Sequence, residues 1–253
     1  MRRSLLCVAV LGGFGAAGGR AWAEPPDDGA DIITEPQRGD VVPAAGVTVQ
    51  VFYEALAPYG SWVYLGPYGR VWRPSPSVVG IEFRPYVTGG RWVYTDVGWA
   101  FASDYDWGWA PFHYGRWVLA TGYGWVWVPG TDWGPAWVEW RMGDGYVGWA
   151  PLPPGGDGLE AEYSPYWCFT PTGALASPGL ARAVVVGPRA APIFARSAPV
   201  RRTVYSHGLR FPAGPRVGVV RSYARAPLAP RHVTPPRPGV VAPIHVGRRA
   251  RGP

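Results

Sequence analysis

GRWVLATGYGWVWVPG, at residues 115–130, places two short runs of tryptophan and valine on either side of Thr-Gly-Tyr-Gly at 121–124. Tryptophan, tyrosine and β-branched residues favour strands. Glycine-rich punctuation between two such runs favours a turn. The stretch therefore predicts two antiparallel strands joined by a short connection.

The same phrase recurs four times between residues 47 and 155. The repeats are headed, at spacings of 30, 25 and 20, by Trp62, Trp92, Trp117 and Trp137. Because the spacing drifts, the pattern indicates a degenerate repeat of hairpins rather than a strict solenoid. Asp144-Gly145 is the strongest turn signal, since this pair accepts the positive φ that a two-residue hairpin turn requires.

Helices are nearly excluded from the repeat region. Between Gly60 and Gly156 the longest stretch without glycine or proline is 99–107, and it is not amphipathic at helical spacing. We therefore predict an all-β fold, in which short antiparallel hairpins form a Trp/Val-rich sheet domain that is followed by a disordered C-terminal tail.

Strand alternation separates two kinds of side chain. Valines fall on one side of the strands, a natural core face, and aromatic rings fall on the other. The aromatic side can be a second buried layer or an open platform, and we expect most rings to be core with a subset open. The candidates for stacking on a ligand are Trp62, Trp72, Trp92, Trp117, Trp125 and Trp127. Four arginines near tryptophans suit cation–π contacts, namely Arg70, Arg91, Arg116 and Arg141.

The composition is divided between the body and the ends of the chain. The 253 residues include 36 glycines and 30 prolines, a level typical of disorder, but also 15 tryptophans, which disordered chains lack. This mixture excludes a long coiled coil, a helical bundle and a multi-span membrane protein. An aromatic folded part with Pro/Arg-rich ends accounts for both features.

Residues 1–23 have the pattern of a secretory signal. Two arginines precede a short apolar stretch, and Ala21-Trp22-Ala23 forms an A-x-A cleavage site. We expect export to the periplasm or cell envelope, with no membrane span after cleavage. The remaining chain divides into an acidic linker (24–46), the repeat domain (47–155), an appended segment with one or two strands (156–200) and the tail (201–253).

Charge is strongly segregated, and every basic residue is arginine. All 17 acids lie between Glu24 and Glu162, together with seven arginines, whereas fourteen arginines and no acid follow. Such a tail attracts polyanions. The candidate contacts are Arg201, Arg202, Arg248, Arg249 and Arg251. An exported protein meets anionic envelope polymer or glycan first, so no nucleic-acid partner is expected. Alternatively, the tail folds back on the acidic body.

No residue constellation indicates catalysis, a metal or a cofactor. His113 is the only histidine of the predicted folded part and suits a structural hydrogen bond better than a metal site, which needs several ligands. Cys168, alone after signal cleavage, suits a small buried side chain. A glycosidase would need two facing carboxylates. We therefore expect a protein that is not an enzyme.

Several motifs together resemble a known family. They are Tyr-Glu-Ala-Leu-Ala-Pro-Tyr-Gly-Ser-Trp-Val at 53–63, Phe-Arg-Pro-Tyr-Val-Thr-Gly-Gly-Arg-Trp-Val-Tyr-Thr at 83–95, Trp-Gly-Trp-Ala-Pro-Phe-His-Tyr-Gly-Arg-Trp at 107–117, Gly-Trp-Val-Trp-Val-Pro-Gly at 124–130 and Gly-Tyr-Val-Gly-Trp-Ala-Pro-Leu-Pro-Pro at 145–154. Residues 51–154 are thereby similar to a bacterial exported family known only as a domain of unknown function, number sixty-six hundred in that series. The resemblance implies an envelope-associated β-rich protein and no active site.

Two functions remain open at this stage. The first is an exported, non-enzymatic cell-envelope protein with a structural or scaffolding role, whose cationic tail contacts an anionic envelope polymer. The alternative is a carbohydrate-binding module that uses exposed tryptophan faces.

Overall fold

The computed structural model describes residues 49–155, 163–206, 209–224, 227–237, 240–244 and 246. Its strands are β1 (Gly60–Leu65), β2 (Gly69–Pro74), β3 (Gly90–Thr95), β4 (Gly98–Ser103), β5 (Arg116–Ala120), β6 (Gly124–Val128), β7 (Val138–Gly143), β8 (Tyr146–Pro151), β9 (Cys168–Pro171), β10 (Ala198–Pro199), β11 (Thr203–Ser206) and β12 (Leu209–Pro212). Its α-helices are α1 (Gln50–Leu56), α2 (Pro76–Val79), α3 (Leu180–Ala183), α4 (Ala191–Ala195) and α5 (Val217–Tyr223). Single 3₁₀ turns cover Ala57–Tyr59, Gly66–Tyr68, Asp106–Trp109, Thr172–Ala174 and Gly187–Ala190.

The predicted hairpins form in all four repeats, and the all-β prediction is confirmed. Strands β1 and β2, β3 and β4, β5 and β6, and β7 and β8 pair antiparallel. Two of the hairpins join in a four-stranded sheet of order β1-β2-β6-β5, while β7 and β8 lie within a second sheet of order β10-β7-β8-β9. The α-helices are short, with at most seven residues in any helix that the structure describes. None of these helices has the length and apolarity that crossing a bilayer requires.

An aromatic pair occupies the same register position in each hairpin. The cross-strand partners are Trp62 and Trp72, Trp92 and Phe101, Trp117 and Trp127, and Trp140 and Trp149. The fourth repeat is therefore headed by Trp140, and the expectation that Trp137 heads it is wrong. Strand β7 begins only at Val138, so Trp137 lies before the strand and donates its indole N–H to the carbonyl of His113 at 3.1 Å.

The Asp144-Gly145 turn has the predicted conformation. Asp144 has φ of 52° and Gly145 has φ of 75°, and the two residues connect Gly143 directly to Tyr146 across the hairpin. Positive φ at both central residues matches the right-handed twist of the flanking strands. The sequence signal thus identified both the position and the length of this connection.

The glycines that open the first three repeats lie directly under aromatic rings of the opposite strand. A Cβ at Gly60 would lie 2.7 Å from the Trp72 ring, and one at Gly90 would lie 2.6 Å from the Phe101 ring. A Cβ at Gly115 would lie 2.8 Å from the Trp127 ring. Each ring lies over the glycine that begins the opposite strand, so these positions require the absence of a side chain.

The aromatic side of the strands forms the main core. Its rings pack across elements, for example Trp92 on Trp140 with centroids 4.6 Å apart and Phe52 on Trp127 at 5.0 Å. The valine side also buries residues, but in a small separate cluster of Val71, Val118 and Val126. Large rings remove more apolar area from water than valine does, so the aromatic side contributes more to stability.

The described residues of the tail include regular secondary structure and segments that pack on the core. Strands β11 and β12 form a hairpin and α5 follows. Residues 227–237 and 240–244, here called the strap, pack against the core through Leu228, Val233, Val241 and Ile244. Arg231 pairs with β3, since its N–H donates to Tyr94 at 2.9 Å and its carbonyl accepts from Asp96 at 3.2 Å. The strap buries Val233 and Val241.

The alternative that the tail folds back on the acidic body therefore holds for the strap. The Asp96 carboxylate accepts a hydrogen bond from the Val233 N–H at 3.0 Å and contacts the His232 ring. Further back along the chain, Arg196 pairs with Asp144 at 2.8 Å. Both carboxylates lie in hairpin turns, where they are exposed enough to receive a neighbouring segment.

Candidate functional site

A groove of about 670 Å³ opens beside the β5–β6 turn. Its walls come from three parts of the chain: residues 73–88 after β2, residues 119–125 around the turn, and residues 181–186 at the end of α3. Apolar side chains such as Val87, Val184 and Leu119 line it, and polar groups contribute nearly as much of the lining surface as apolar groups do. In a ligand site, apolar surface contacts the body of the ligand and polar groups fix its orientation.

Arg84 is the most firmly held polar group of the groove. Its Nη1 donates to the carbonyl of Pro165 at 2.8 Å, and the guanidinium lies 5.7 Å from the centroid of the Trp125 ring. Its backbone N–H donates to Thr88 Oγ1 at 3.0 Å, which closes the local turn. The guanidinium is thus fixed by a hydrogen bond and an aromatic ring, and further N–H donors remain on it.

Two other groups of the groove have no partner within the described part of the chain. Arg73, at the end of β2, is half-buried, and Tyr123, at the tip of the β5–β6 turn, is 37% exposed. Neither side chain makes a hydrogen bond, ion pair or ring contact with the residues that the structure describes. Glu82 is the only acid among the described residues of the lining, which also include two arginines, so this part of the groove has an excess of positive charge.

The six tryptophans proposed for ligand stacking are mostly core residues, which corrects that expectation. Trp72, Trp92, Trp117, Trp125 and Trp127 are buried, with at most 8% of any of them exposed. Trp62 is half-buried and packs edge-on against Tyr53 with centroids 4.2 Å apart. Trp125 also lines the groove. The strands turn their aromatic side inward, so these ring faces stack on one another.

Connecting segments satisfy the indole N–H groups of several of these rings. Trp117 donates to Pro111 at 2.8 Å and Trp127 donates to Tyr114 at 2.7 Å, while Trp72 donates to Leu56 at 3.1 Å. Because each of these three indole N–H groups has a carbonyl partner, its removal from water costs little free energy when the ring is buried.

Arginines support the aromatic body, as the sequence suggested for three of four positions. Arg116 lies 3.7 Å from the Trp137 centroid, Arg141 lies over Trp167 at 5.7 Å, and Arg70 lies over Tyr53 at 5.0 Å. Burial lowers the pKa of Arg116 and of Arg141, because it disfavours the charged form. The fourth, Arg91, instead pairs with Asp104 at 3.8 Å.

The proposed polyanion contacts fall into three groups. Arg201 is exposed, whereas Arg202 is half-buried and donates to Gly214 at 3.3 Å. Arg248, Arg249 and Arg251 lie outside the described residues. Beyond residue 162 the structure exposes a broader set than the sequence singled out, consisting of Arg182, Arg189, Arg196, Arg201, Arg210, Arg221, Arg231 and Arg237.

His113 and Cys168 have structural surroundings. Nδ1 of the buried His113 lies 3.0 Å from the carbonyl oxygen of Gly134, and the ring stacks on Trp133. Burial raises the pKa of Cys168 to about 12, and its Sγ donates to the Trp149 carbonyl at 3.3 Å. Within the described residues, no group of three or more His, Cys, Asp or Glu side chains could hold a metal ion.

Sequence reasoning missed Arg84 and Tyr123 as groove residues. Arg84 stood only within a family motif, and Tyr123 only within a turn. The contact between Arg84 and Trp125 joins residues far apart in the chain, and no local pattern encodes it.

Comparison with known proteins adds one match. Neither a curated protein nor a solved structure shows significant similarity to the chain. Residues 53–156 match the model of the family described as "Family of unknown function (DUF6600)". The resemblance drawn from the repeat motifs is therefore confirmed over residues 53–156.

Proposed function

We propose that this protein is an exported, non-enzymatic component of the cell envelope. Its β body acts as a rigid scaffold that holds a cationic surface against an anionic envelope polymer. The observation that carries the proposal is the set of eight exposed arginines among the described residues beyond residue 162, in a part of the chain that contains no acid.

Physical reasoning supports attraction through this surface. Exposed charges of one sign sum to a potential that raises the local concentration of a polyanion. Folding of the strap onto Asp96 does not remove this potential, since Arg231 and Arg237 remain exposed there. Attraction of this kind is screened over about 8 Å at physiological ionic strength, so it must weaken as salt is added.

Support for a scaffolding role comes from the tryptophans. Seven are almost completely buried, and their rings pack against one another across different hairpins. Closely packed protein interiors resist deformation. Such a body suits the presentation of a surface in a fixed geometry.

The test is co-sedimentation of residues 24–253 with isolated, anionic cell-wall polymer at about 50 and about 500 mM salt. The Debye length shortens about threefold over this range, so electrostatic attraction is screened more strongly at the higher salt concentration. Deletion of the tail is a poor variant, because the strap is packed on the core. A better variant replaces five exposed arginines by glutamine, at positions 182, 189, 201, 210 and 237. Its urea midpoint must match that of the unmodified protein before binding is compared.

We expect the unmodified protein to sediment with the polymer at low salt and to be released at high salt. The arginine variant should remain in the supernatant under both conditions. Equal sedimentation of the two proteins, or sedimentation that does not respond to salt, would contradict the proposal.

A further inference from the structure

We propose that the groove beside the β5–β6 turn binds a carboxylate-bearing sugar residue of an acidic glycan. The site would consist of Arg84 and Arg73 for the carboxylate, and of Tyr123 with the neighbouring apolar wall for the sugar ring. This inference goes beyond the proposed function, because it requires a discrete site for a short oligosaccharide rather than a surface that attracts a long polymer.

The charge of the groove favours an anionic ligand. Among the described lining residues there are two guanidinium groups and one carboxylate, that of Glu82, and α3 places the exposed Arg182 beside the lining residue Ala181. Guanidinium groups bind carboxylates through two parallel N–H donors, and they remain charged at all relevant pH values. A neutral ligand would leave this excess of positive charge unmatched.

Arg84 is positioned in advance for such an interaction. Pro165 accepts from one terminal nitrogen at 2.8 Å, and Trp125 lies under the guanidinium at 5.7 Å. A side chain already fixed by such contacts loses little conformational entropy when a ligand binds. Arg73 adds a second donor group whose side chain makes no hydrogen bond or ion pair with the described residues, so no such interaction has to be broken when a ligand binds.

The remaining lining suits a sugar ring. Pyranose rings have apolar C–H faces edged by hydroxyl groups, and the groove combines Leu119, Val184 and Val186 with the ring and hydroxyl of Tyr123. Its volume of about 670 Å³ lies within the range of about 300–1,000 Å³ that ligand pockets usually have. An acidic sugar uses the charged, the hydroxylated and the apolar parts of the lining together.

Isothermal titration calorimetry with two oligosaccharides of equal length tests the proposal. The probes are tetragalacturonate, which has a carboxylate on each ring, and maltotetraose, which has none. The variants are Arg84→Gln, Arg73→Gln and Tyr123→Ala, and the matched control is Arg189→Gln, which removes an exposed arginine outside the groove. Tyr123 lies in an exposed turn, so its replacement leaves the core intact.

We expect tetragalacturonate to bind and maltotetraose to bind at least tenfold more weakly. Arg84→Gln and Tyr123→Ala should each weaken tetragalacturonate binding at least tenfold, Arg73→Gln should weaken it severalfold, and Arg189→Gln should change it by less than twofold. The proposal fails if tetragalacturonate does not bind, if both sugars bind equally, or if Arg189→Gln has as large an effect as Arg84→Gln.

The last of these outcomes would indicate attraction by the cationic surface alone, which the proposed function already provides. The converse result is that tetragalacturonate binds in a way that depends on Arg84 while the protein does not sediment with the polymer. That result would support the groove as a binding site and contradict the proposed role of the cationic surface. The two proposals can therefore fail separately.

Discussion

Tyr114 and Ala242 exchange two hydrogen bonds across 128 residues of sequence: the Tyr114 hydroxyl donates to the Ala242 carbonyl at 3.2 Å and accepts from the Ala242 N–H at 3.0 Å. Upstream, Trp99 donates its indole N–H to the carbonyl of Pro215 at 2.8 Å. Residues from the C-terminal part of the chain thus satisfy polar groups of the aromatic core. The described residues of that part belong to the folded body and cannot be treated as a detachable arm.

Ending the chain after Ala224 should lower the free energy of unfolding by at least about 4.5 kcal/mol. The change removes Val233, Val241 and Val246, each with at most 9% exposure, and burial of such a side chain contributes about 1.5 kcal/mol or more. Urea denaturation followed by tryptophan fluorescence measures the loss. Tyr114→Phe, which removes only the hydroxyl, should cost about 1 kcal/mol. An unchanged urea midpoint after truncation would show that the strap is not docked in solution.

Trp72→Phe should destabilise the protein more than Trp92→Phe does. Both rings are fully buried, but Trp72 Nε1 donates to the Leu56 carbonyl at 3.1 Å, whereas Trp92 Nε1 has no partner in the described part of the chain. Loss of a paired donor leaves a carbonyl unsatisfied, while loss of an unpaired donor removes a penalty, and the difference amounts to about 1–3 kcal/mol. Chemical denaturation of the two variants in parallel gives the comparison. An equal or larger cost for Trp92→Phe would contradict it.

Gly90→Ala should cost about 1–3 kcal/mol, as overpacked core substitutions do. The added methyl group would lie 2.6 Å from the Phe101 ring and from the Ala102 carbonyl, and neither can withdraw without moving the hairpin. Gly66→Ala is the matched control, since a Cβ there meets nothing within 4 Å. Thermal and urea unfolding of both variants measure the loss of stability that each substitution causes. If the two substitutions cost the same, close packing over Gly90 is not what requires glycine there.

Stability should decrease as the pH rises above about 9. Burial raises the pKa of Cys168 from 9.0 to about 12, so in this interval the unfolded chain loses a proton that the native chain retains. Deprotonation then favours unfolding by up to about 1.4 kcal/mol per pH unit. Urea midpoints between pH 7 and pH 11 give the slope.

Cys168→Ala should make this alkaline decrease shallower without abolishing it. Burial also raises the pKa of Tyr86 above its ordinary value of 10.0, so this phenol contributes in the same direction at higher pH. A slope that the substitution leaves unchanged would mean that the thiol is accessible to solvent in the native protein. The reactivity of Cys168 toward an alkylating reagent, with and without urea, provides an independent check.

Local signals predicted the hairpins because strand preference and turn chemistry act over a few residues. The Asp144-Gly145 turn and the four strand pairs followed from such signals. The glycines of the repeats show where local reasoning stops. The sequence identified Gly145 as a turn glycine, which its positive φ explains, but no local signal showed that Gly60 is needed for the space under the Trp72 ring.

The candidate site was less predictable than the fold. Trp125 was singled out as a stacking residue, and it does line the groove, but only 8% of the residue is exposed, so it presents little surface to a ligand. Arg84 and Tyr123 carry no distinguishing pattern in the chain. Their significance arises only where the segment after β2 meets the β5–β6 turn.

The sequence by itself determined the all-β class, the hairpin repeat and the segregation of charge, because strand preference, turn conformation and composition are properties of short segments. Only the tertiary structure decided which face of the strands became the core, which rings remained accessible, and that the C-terminal strap closes over Asp96 and Tyr114. Alternation gives two faces to every strand and does not rank them. Which face is buried depends on how much apolar area that face and distant segments can bury together. This is decided only when those segments pack in the tertiary structure.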